Sequence, residues 1–456
     1  MTMTEQKPQV TNLLAPNIPA DRGLTGLGLL MQLGGSMLVA YGALIAVIAV
    51  LMPASPDSPR MTMFILGIVS ALRSSFHRSA GTNLLYGSPK GHLFGLRRYI
   101  LVGIVQSILA FLLLKNMDLP TDVSLYVLVV LLAWPTALGL MMLLPQFKLA
   151  SSELPHPEDM GFESVAILMT IMGIAGSLIM GLVVYSMVSS EVMRSEVPGI
   201  LAILVSGMLL VRSVFHAQAG IRGISGIDSE RAMATANRYV QFGIVSAIIT
   251  GALFLLQMLM QSVHLASLVV AFGVSYLLLI WPNILRTFIG DRNFSLILNE
   301  ETTPRRAPDT GLTALGWLLL ALGSIGFATS AASLLISGNT QALDVAPLLT
   351  ELTGAGPQSP WWTTGIGALQ LVAGFSLITM KSNYKLIVTV YGVVASLVTL
   401  YLAWPMIEFF KASAPDAMMM PFIYGPIIMG LSVSIGAAFL VNRQESSDAR
   451  ARIVGE

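Results

Sequence analysis

Apolar residues run along this chain in blocks of about twenty, and polar residues collect between the blocks. At roughly 1.5 Å of rise per residue, a helical block of that length matches a hydrocarbon core of about 30 Å. Such blocks fall at about 24–52, 61–81, 97–115, 122–145, 162–188, 197–218, 238–260, 265–285, 311–336, 361–380, 384–408 and 418–441. The pattern predicts an all-α polytopic membrane protein with about twelve transmembrane helices.

Polar positions inside the blocks add internal order. Arg73-Ser-Ser-Phe-His77-Arg-Ser-Ala-Gly81 returns as Arg212-Ser-Val-Phe-His216-Ala-Gln-Ala-Gly220, with six of nine positions identical. Each copy follows an apolar run and precedes a basic loop. Downstream, Arg98-Tyr99 and Gly103-Ile104-Val105 recur as Arg238-Tyr239 and Gly243-Ile244-Val245, and Trp134-Pro135 recurs as Trp281-Pro282. The order predicts a repeat of four helices. A third, degenerate copy has Gly323 and Gly326 early, then Gly392-Val393-Val394-Ala395-Ser396, then Gly425-Pro426, and it lacks the Arg and His pair. The chain therefore divides into a tail at 1–23, repeats at 24–160, 161–310 and 311–442, and a second tail at 443–456. Four helices per repeat is an even number, so the three repeats enter the membrane in parallel, and a pseudo-threefold set about the membrane normal is the expected arrangement.

Charge orients the helices. Composition is 55% hydrophobic and 11% charged, well under the roughly 25% charged residues of soluble domains. With the N-terminus inside, 21 of the 25 Lys and Arg fall on the cytoplasmic side, the four exceptions being Arg60, Lys115, Arg194 and Lys411. That bias places both termini in the cytoplasm. Lys7 and Arg22 precede a first block too long for a signal-peptide core and no small-residue cleavage site follows, so residues 1–23 read as a retained tail. The expected location is the plasma membrane, specifically a bacterial inner membrane, as a multi-pass protein. The expected partners are membrane lipids with anionic inner-leaflet headgroups, and other proteins within the membrane. Nothing in the charge pattern suits nucleic acid.

Arg73 with His77, and Arg212 with His216, are spaced i and i+4 and so share a helix face. Counting about 1.5 Å per residue, each arginine sits roughly 18 Å below the outer end of its block, which is deep for a charge. Two readings follow. The pairs could form an anion site open to the cytoplasm, with guanidinium forks holding phosphate or carboxylate oxygens. They could equally be interfacial anchors at helix C-termini, where the macrodipole and lipid phosphate favour cations. Pro135, Pro282 and Pro426 mark expected kinks, and Pro135 frees the carbonyl of Leu131.

Other chemistry is sparse. The chain has no cysteine, which removes disulfides and thiolate sites. No Asp or Glu stands near the middle of a block: Glu163 and Glu408 lie at helix ends, and Asp57, Asp118 and Asp122 in outer loops. Coupling to protons or sodium usually relies on a buried carboxylate, so that kind of transport is disfavoured. His92, His156 and His264 are scattered over both sides, and Met418-Met419-Met420 is core filling rather than a metal trap; no metal site and no cofactor is expected. Gly223-Ile224-Ser225-Gly226-Ile227 breaks the esterase elbow at Ile227, and no zincin, Walker or dinucleotide motif occurs. These absences point away from an enzyme, with His77 or His216 as an intramembrane base the one catalytic option. The leading expectation is a transporter, channel or lipid-handling protein for a small anionic or lipid-like solute. The alternative is a non-catalytic membrane scaffold or accessory subunit of a larger membrane complex.

Overall fold

The structure is a computed structural model, and it describes residues 24–52, 60–86, 89–115, 121–144, 162–224, 229–261, 265–290, 312–337, 359–413 and 420–442. Both tails and the segments 291–311 and 338–358 lie outside these residues, as do His156, His264, Ser225, Asp57, Asp118, Met418 and Met419.

Every described element is a helix. Twelve are long: α1 (Leu24–Leu51), α2 (Arg60–Tyr86), α3 (Pro89–Lys115), α4 (Thr121–Met142), α5 (Phe162–Ser189), α6 (Val197–Ile224), α7 (Ser229–Gln261), α8 (Leu265–Ile289), α9 (Leu312–Ser337), α10 (Ser359–Ile378), α11 (Tyr384–Ser413) and α12 (Met420–Val441). A short helix, Glu191–Ser195, bridges α5 and α6. Eleven of the long helices are long and apolar enough to cross a membrane, which makes this a multi-pass α-helical membrane protein. The twelfth, α2, is 27 residues long and falls short on hydropathy rather than length, because it carries Arg60, Arg73, His77 and Arg78.

Several helices outrun the apolar blocks that mark them. The second helix continues to Tyr86, the third begins at Pro89, the sixth reaches Ile224 and the seventh begins at Ser229. Hydropathy marks only the part of a helix that suits lipid, whereas backbone hydrogen bonding continues into the more polar connections. Proline at the first helical position opens α3, where its missing N–H leaves no bond unmade.

Packing begins with close antiparallel pairs. On α1, Gly28, Gly35 and Gly42 recur every seven residues and face Leu84–Leu85, Arg78 and Ala71 of α2; a Cβ on Gly42 would stand 2.7 Å from the Gly67 carbonyl oxygen. Gly67, buried Ser74 and Gly81 repeat the same spacing on α2. A seven-residue repeat of small side chains keeps one seam in contact along two helices and lets the backbones touch. The pairs α5–α6 and α9–α10 are built alike. Gly173 abuts Ala217 and Gly220 abuts Thr170 in the former, while Gly323 abuts Leu371 and Gly367 abuts Phe327 in the latter.

The remaining contacts are cyclic. From α2 the chain packs onto α3 and then α4, from α6 onto α7 and α8, and from α10 onto α11 and α12. The fourth helix of each set then closes on the first helix of another set: α4 on α9, α12 on α5 and α8 on α1, while α1, α5 and α9 touch one another. Three hydrophobic cores follow from this, one inside each closed ring. The first gathers Tyr99, Trp134 and Leu138 around Trp317 of α9. The second gathers Tyr239, Trp281 and Phe288 around Leu29 of α1 and Val165 of α5. The third gathers Tyr384, Tyr391 and Val433 around Ile171 of α5 and Leu315 of α9.

Burial along α1, α5 and α9 is uneven. Residues 312–320 of α9 are all buried, as are 165–169 of α5 and 26–29 of α1. A helix buried at every position of a turn is covered on all sides, so α1, α5 and α9 are enclosed over these stretches. Their C-terminal halves expose Leu38 and Tyr41, Leu178 and Tyr185, and Leu322 and Ile325.

Candidate functional site

The site is built on two tryptophan-proline steps. Proline has no N–H, so Pro135 within α4 cannot bond the carbonyl of Leu131, and Pro282 within α8 cannot bond that of Leu278. A carbonyl left bare in a membrane core costs several kcal/mol, roughly, because no water reaches it. Both carbonyls have a replacement donor. The Arg73 Nη2 donates to Leu131 O at 2.6 Å, and the Arg212 Nη2 donates to Leu278 O. In both of these rings, the helix carrying the arginine supplies the hydrogen bond that the proline removed.

The second guanidinium nitrogen is held in the same neighbourhood. Arg73 Nη1 donates to Ser107 Oγ at 3.4 Å, and Ser107 Oγ in turn donates to Gly103 O at 2.6 Å. Arg212 Nη1 reaches Gly243 O at 3.5 Å, and Ser246 Oγ donates to that carbonyl at 3.0 Å. The phenols of Tyr99 and Tyr239 face the same guanidinia. Gln106 Nε2 adds a bond to Val69 O between α3 and α2.

Glycine makes the approach possible. A Cβ on Gly103 would stand 2.8 Å from Pro135 Cγ, and a Cβ on Gly243 would stand 2.8 Å from Pro282 Cγ. The Gly-Ile-Val motif therefore seats the proline ring, and the proline, the glycine and the arginine form one device.

Histidine extends it. His77 stacks on Tyr99 with centroids 4.6 Å apart and planes at 18°, and Trp134 Nε1 donates to His77 Nε2 at 3.3 Å. An indole nitrogen can only donate, so His77 Nε2 is the unprotonated acceptor. In the second ring His216 lies tilted on Tyr239, centroids 4.7 Å apart and planes at 53°, and parallel to Trp281 at 6.0 Å. Here the equivalent hydrogen bond is not made, and His216 Nε2 and Trp281 Nε1 are both buried without a partner.

The sequence places Arg73, His77, Arg212 and His216 on shared helix faces, and the structure brings each pair together with a tyrosine, a glycine and a Trp-Pro step inside its own ring. The two pairs occupy separate rings and do not meet. The two guanidinia are held by main-chain carbonyls, by the Ser107 hydroxyl and by the phenols of Tyr99 and Tyr239.

The third ring corrects one alignment made from the sequence. Gly425-Pro426 does not occupy the Trp-Pro position. Gly392, the counterpart of Gly103 and Gly243, faces Ala438 and the Ser434 carbonyl, with a Cβ falling 2.6 Å from Ala438 Cβ. Ala438 thus stands where the other rings have proline, and Ser434, four residues earlier, stands where they have Leu131 and Leu278. Pro426 lies inside α12 twelve residues before Ala438. With no proline there is no bared carbonyl at this step, and no arginine. A serine pair takes the place, Ser396 and Ser434 at 2.9 Å, with Ser396 Oγ also donating to Gly392 O at 2.6 Å. At this step proline and arginine are absent together. Pro405 inside α11 is a further helical proline that the sequence reading passed over.

Among the described residues no three His, Cys, Asp or Glu side chains converge as metal ligands do. Glu408 is exposed on α11. Exposed basic residues include Arg97 and Arg98 on α3, Arg238 on α7, Arg286 in the last turn of α8 and Lys381 between α10 and α11, with Arg98 over the Phe76 ring at 4.6 Å and Lys381 over the Phe375 ring at 4.9 Å. Compared with protein-family models, curated proteins and solved structures, the chain matches none of them.

Proposed function

We propose that this chain is a non-catalytic membrane scaffold or accessory subunit built of three parallel four-helix repeats about a pseudo-threefold axis, with both termini in the cytoplasm of a bacterial cell. The observation that carries this reading is the use made of the deep arginines. Their hydrogen-bonding capacity goes to carbonyls bared by Pro135 and Pro282, which leaves them as internal cross-links rather than as a docking point for phosphate or carboxylate. The cyclic closure of α4 on α9, α12 on α5 and α8 on α1 supports the threefold arrangement. The excess of cytoplasmic Lys and Arg supports the orientation and contact with anionic inner-leaflet headgroups.

Handling of a lipid-like solute is the second reading. It is favoured by the exposed apolar residues on the C-terminal halves of α1, α5 and α9. One reconstitution separates the possibilities. Liposomes loaded with inorganic phosphate or acetate and carrying the purified chain should retain their contents as protein-free liposomes do, and a fluorescent phospholipid should stay in its leaflet. Phosphate or acetate release that Arg73→Gln with Arg212→Gln abolishes would overturn the cross-link reading. Lipid transfer without anion release would favour the second reading. A scaffold should also migrate from native membranes in an assembly larger than the 48.7 kDa chain in its detergent micelle.

A further inference from the structure

We infer that the core of the second ring is a binding site for one small neutral hydroxyl, either a water molecule or the hydroxyl of an alcohol, held between Trp281 and His216. This inference does not depend on the scaffold reading. It starts from a difference between two copies of one constellation. In the first ring Trp134 Nε1 and His77 Nε2 satisfy each other directly at 3.3 Å. In the second ring the same two atoms, on Trp281 and His216, are buried and neither has a partner.

The rings explain the difference. His77 lies nearly flat on Tyr99, at 18°, whereas His216 is turned to 53° against Tyr239 and runs parallel to Trp281 at 6.0 Å between centroids. That turn takes Nε2 out of direct reach of the indole. The neighbouring groups do not fill the gap: Arg212 is engaged by Leu278 O and Gly243 O, and the Tyr239 phenol faces Arg212.

The chemistry of the two atoms selects the guest. Indole N–H can only donate, and Nε2 in the tautomer that His77 adopts can only accept. A guest that satisfies both must accept one hydrogen bond and donate another through the same small group, as a hydroxyl does. A carboxylate would leave Nε2 without a donor, and an ammonium would leave the indole without an acceptor. Buried polar groups left over by a fold are ordinarily served by an ordered water with two to four partners. A short alcohol presents the same O–H with an apolar tail that suits the surrounding core of Val240, Ile280 and Ile284.

The test uses the full chain in lipid nanodiscs, labelled with nitrogen-15 at histidine and tryptophan and observed by proton-detected solid-state NMR. The Trp134–His77 pair should show coupling across its N–H···N bond, and the Trp281–His216 pair should not. Instead, Trp281 Hε1 and His216 Nε2 should both correlate with one exchangeable O–H proton. If that signal disappears in deuterium oxide and carbon-13 ethanol gives no contacts, the guest is water; if ethanol carbons contact Trp281 Hε1, the site takes alcohols. Coupling between Trp281 and His216 like that in the first ring would overturn the inference, and so would the absence of any O–H contact to either atom. In Trp281→Phe the O–H contact to His216 should weaken while the Trp134–His77 coupling persists as a check on folding. An unchanged contact would show that the guest does not bridge.

Discussion

Arg73 and Pro135 are joined through a third residue: the guanidinium of the one donates, at 2.6 Å, to the Leu131 carbonyl that the ring of the other leaves without its helical donor. Arg212 and Pro282 stand in the same relation through Leu278. A charge deep in a membrane protein is commonly a sign of a solute path. Here its position follows from helix geometry, because a proline in mid-span creates a local demand for a strong donor and a guanidinium supplies one with several N–H groups.

Orientation and parallelism can be tested by labelling, since the chain contains no cysteine. Under the proposed parallel scheme, single substitutions Ser58→Cys, Ser190→Cys and Asn339→Cys, which follow α1, α5 and α9 in the sequence, should all react with an impermeant maleimide added outside intact cells. Ser88→Cys, Ser225→Cys and Ser382→Cys should react only after permeabilisation. Opposite labelling of any one repeat would break the parallel scheme.

Glycine seats for the proline rings should tolerate no side chain. Gly103→Val or Gly243→Val puts a branched Cβ where Pro135 Cγ or Pro282 Cγ is only 2.8 Å away, and overpacking of this kind typically costs about 1–3 kcal/mol. The expected result is a clear drop in thermal midpoint in detergent. Gly207→Ala serves as the control, because a Cβ there meets nothing within 4 Å.

The third ring should be the least sensitive to loss of its polar pair. Replacing Ser434 by alanine removes the 2.9 Å contact with Ser396, and side-chain hydrogen bonds between membrane helices average only about 0.6 kcal/mol. Ser434→Ala should therefore melt within a few degrees of the wild type, whereas Arg212→Leu, which bares the Leu278 carbonyl in a buried setting, should cost several times as much.

Much of this was legible in the sequence. Eleven of the twelve long helices follow from hydropathy, and the recurring Arg, His, Tyr, Gly and Trp-Pro signals name nearly every member of the two constellations. Even the bared Leu131 carbonyl can be read from Pro135 alone. What the sequence does not carry is the tertiary fact that Arg73 and Leu131, 58 residues apart, meet across two helices. Without that contact, a deep arginine invites an anion. The third ring differs for a related reason: Gly425-Pro426 resembles a Trp-Pro step as a pair of letters, but the register of a helix is set by what it packs against, and Gly392 packs on Ala438. The seven-residue spacing of Gly28, Gly35 and Gly42 was available in the sequence and is the signal that would have predicted the tight α1–α2 pair.

A double-mutant cycle between Arg73 and Pro135 tests the central claim most directly, read as thermal unfolding of the purified protein in one detergent. Arg73→Leu alone leaves the Leu131 carbonyl bare and should cost about 2 kcal/mol, the scale of an unsatisfied buried group. Pro135→Ala restores the helical N–H, and the double variant reproduces the pattern the third ring has at Ala438. Arg73→Leu should therefore cost much less in the Pro135→Ala background, with a coupling of about 1 kcal/mol or more. An equal cost of Arg73→Leu in both backgrounds would contradict the account and return Arg73 to the list of residues free to meet a solute.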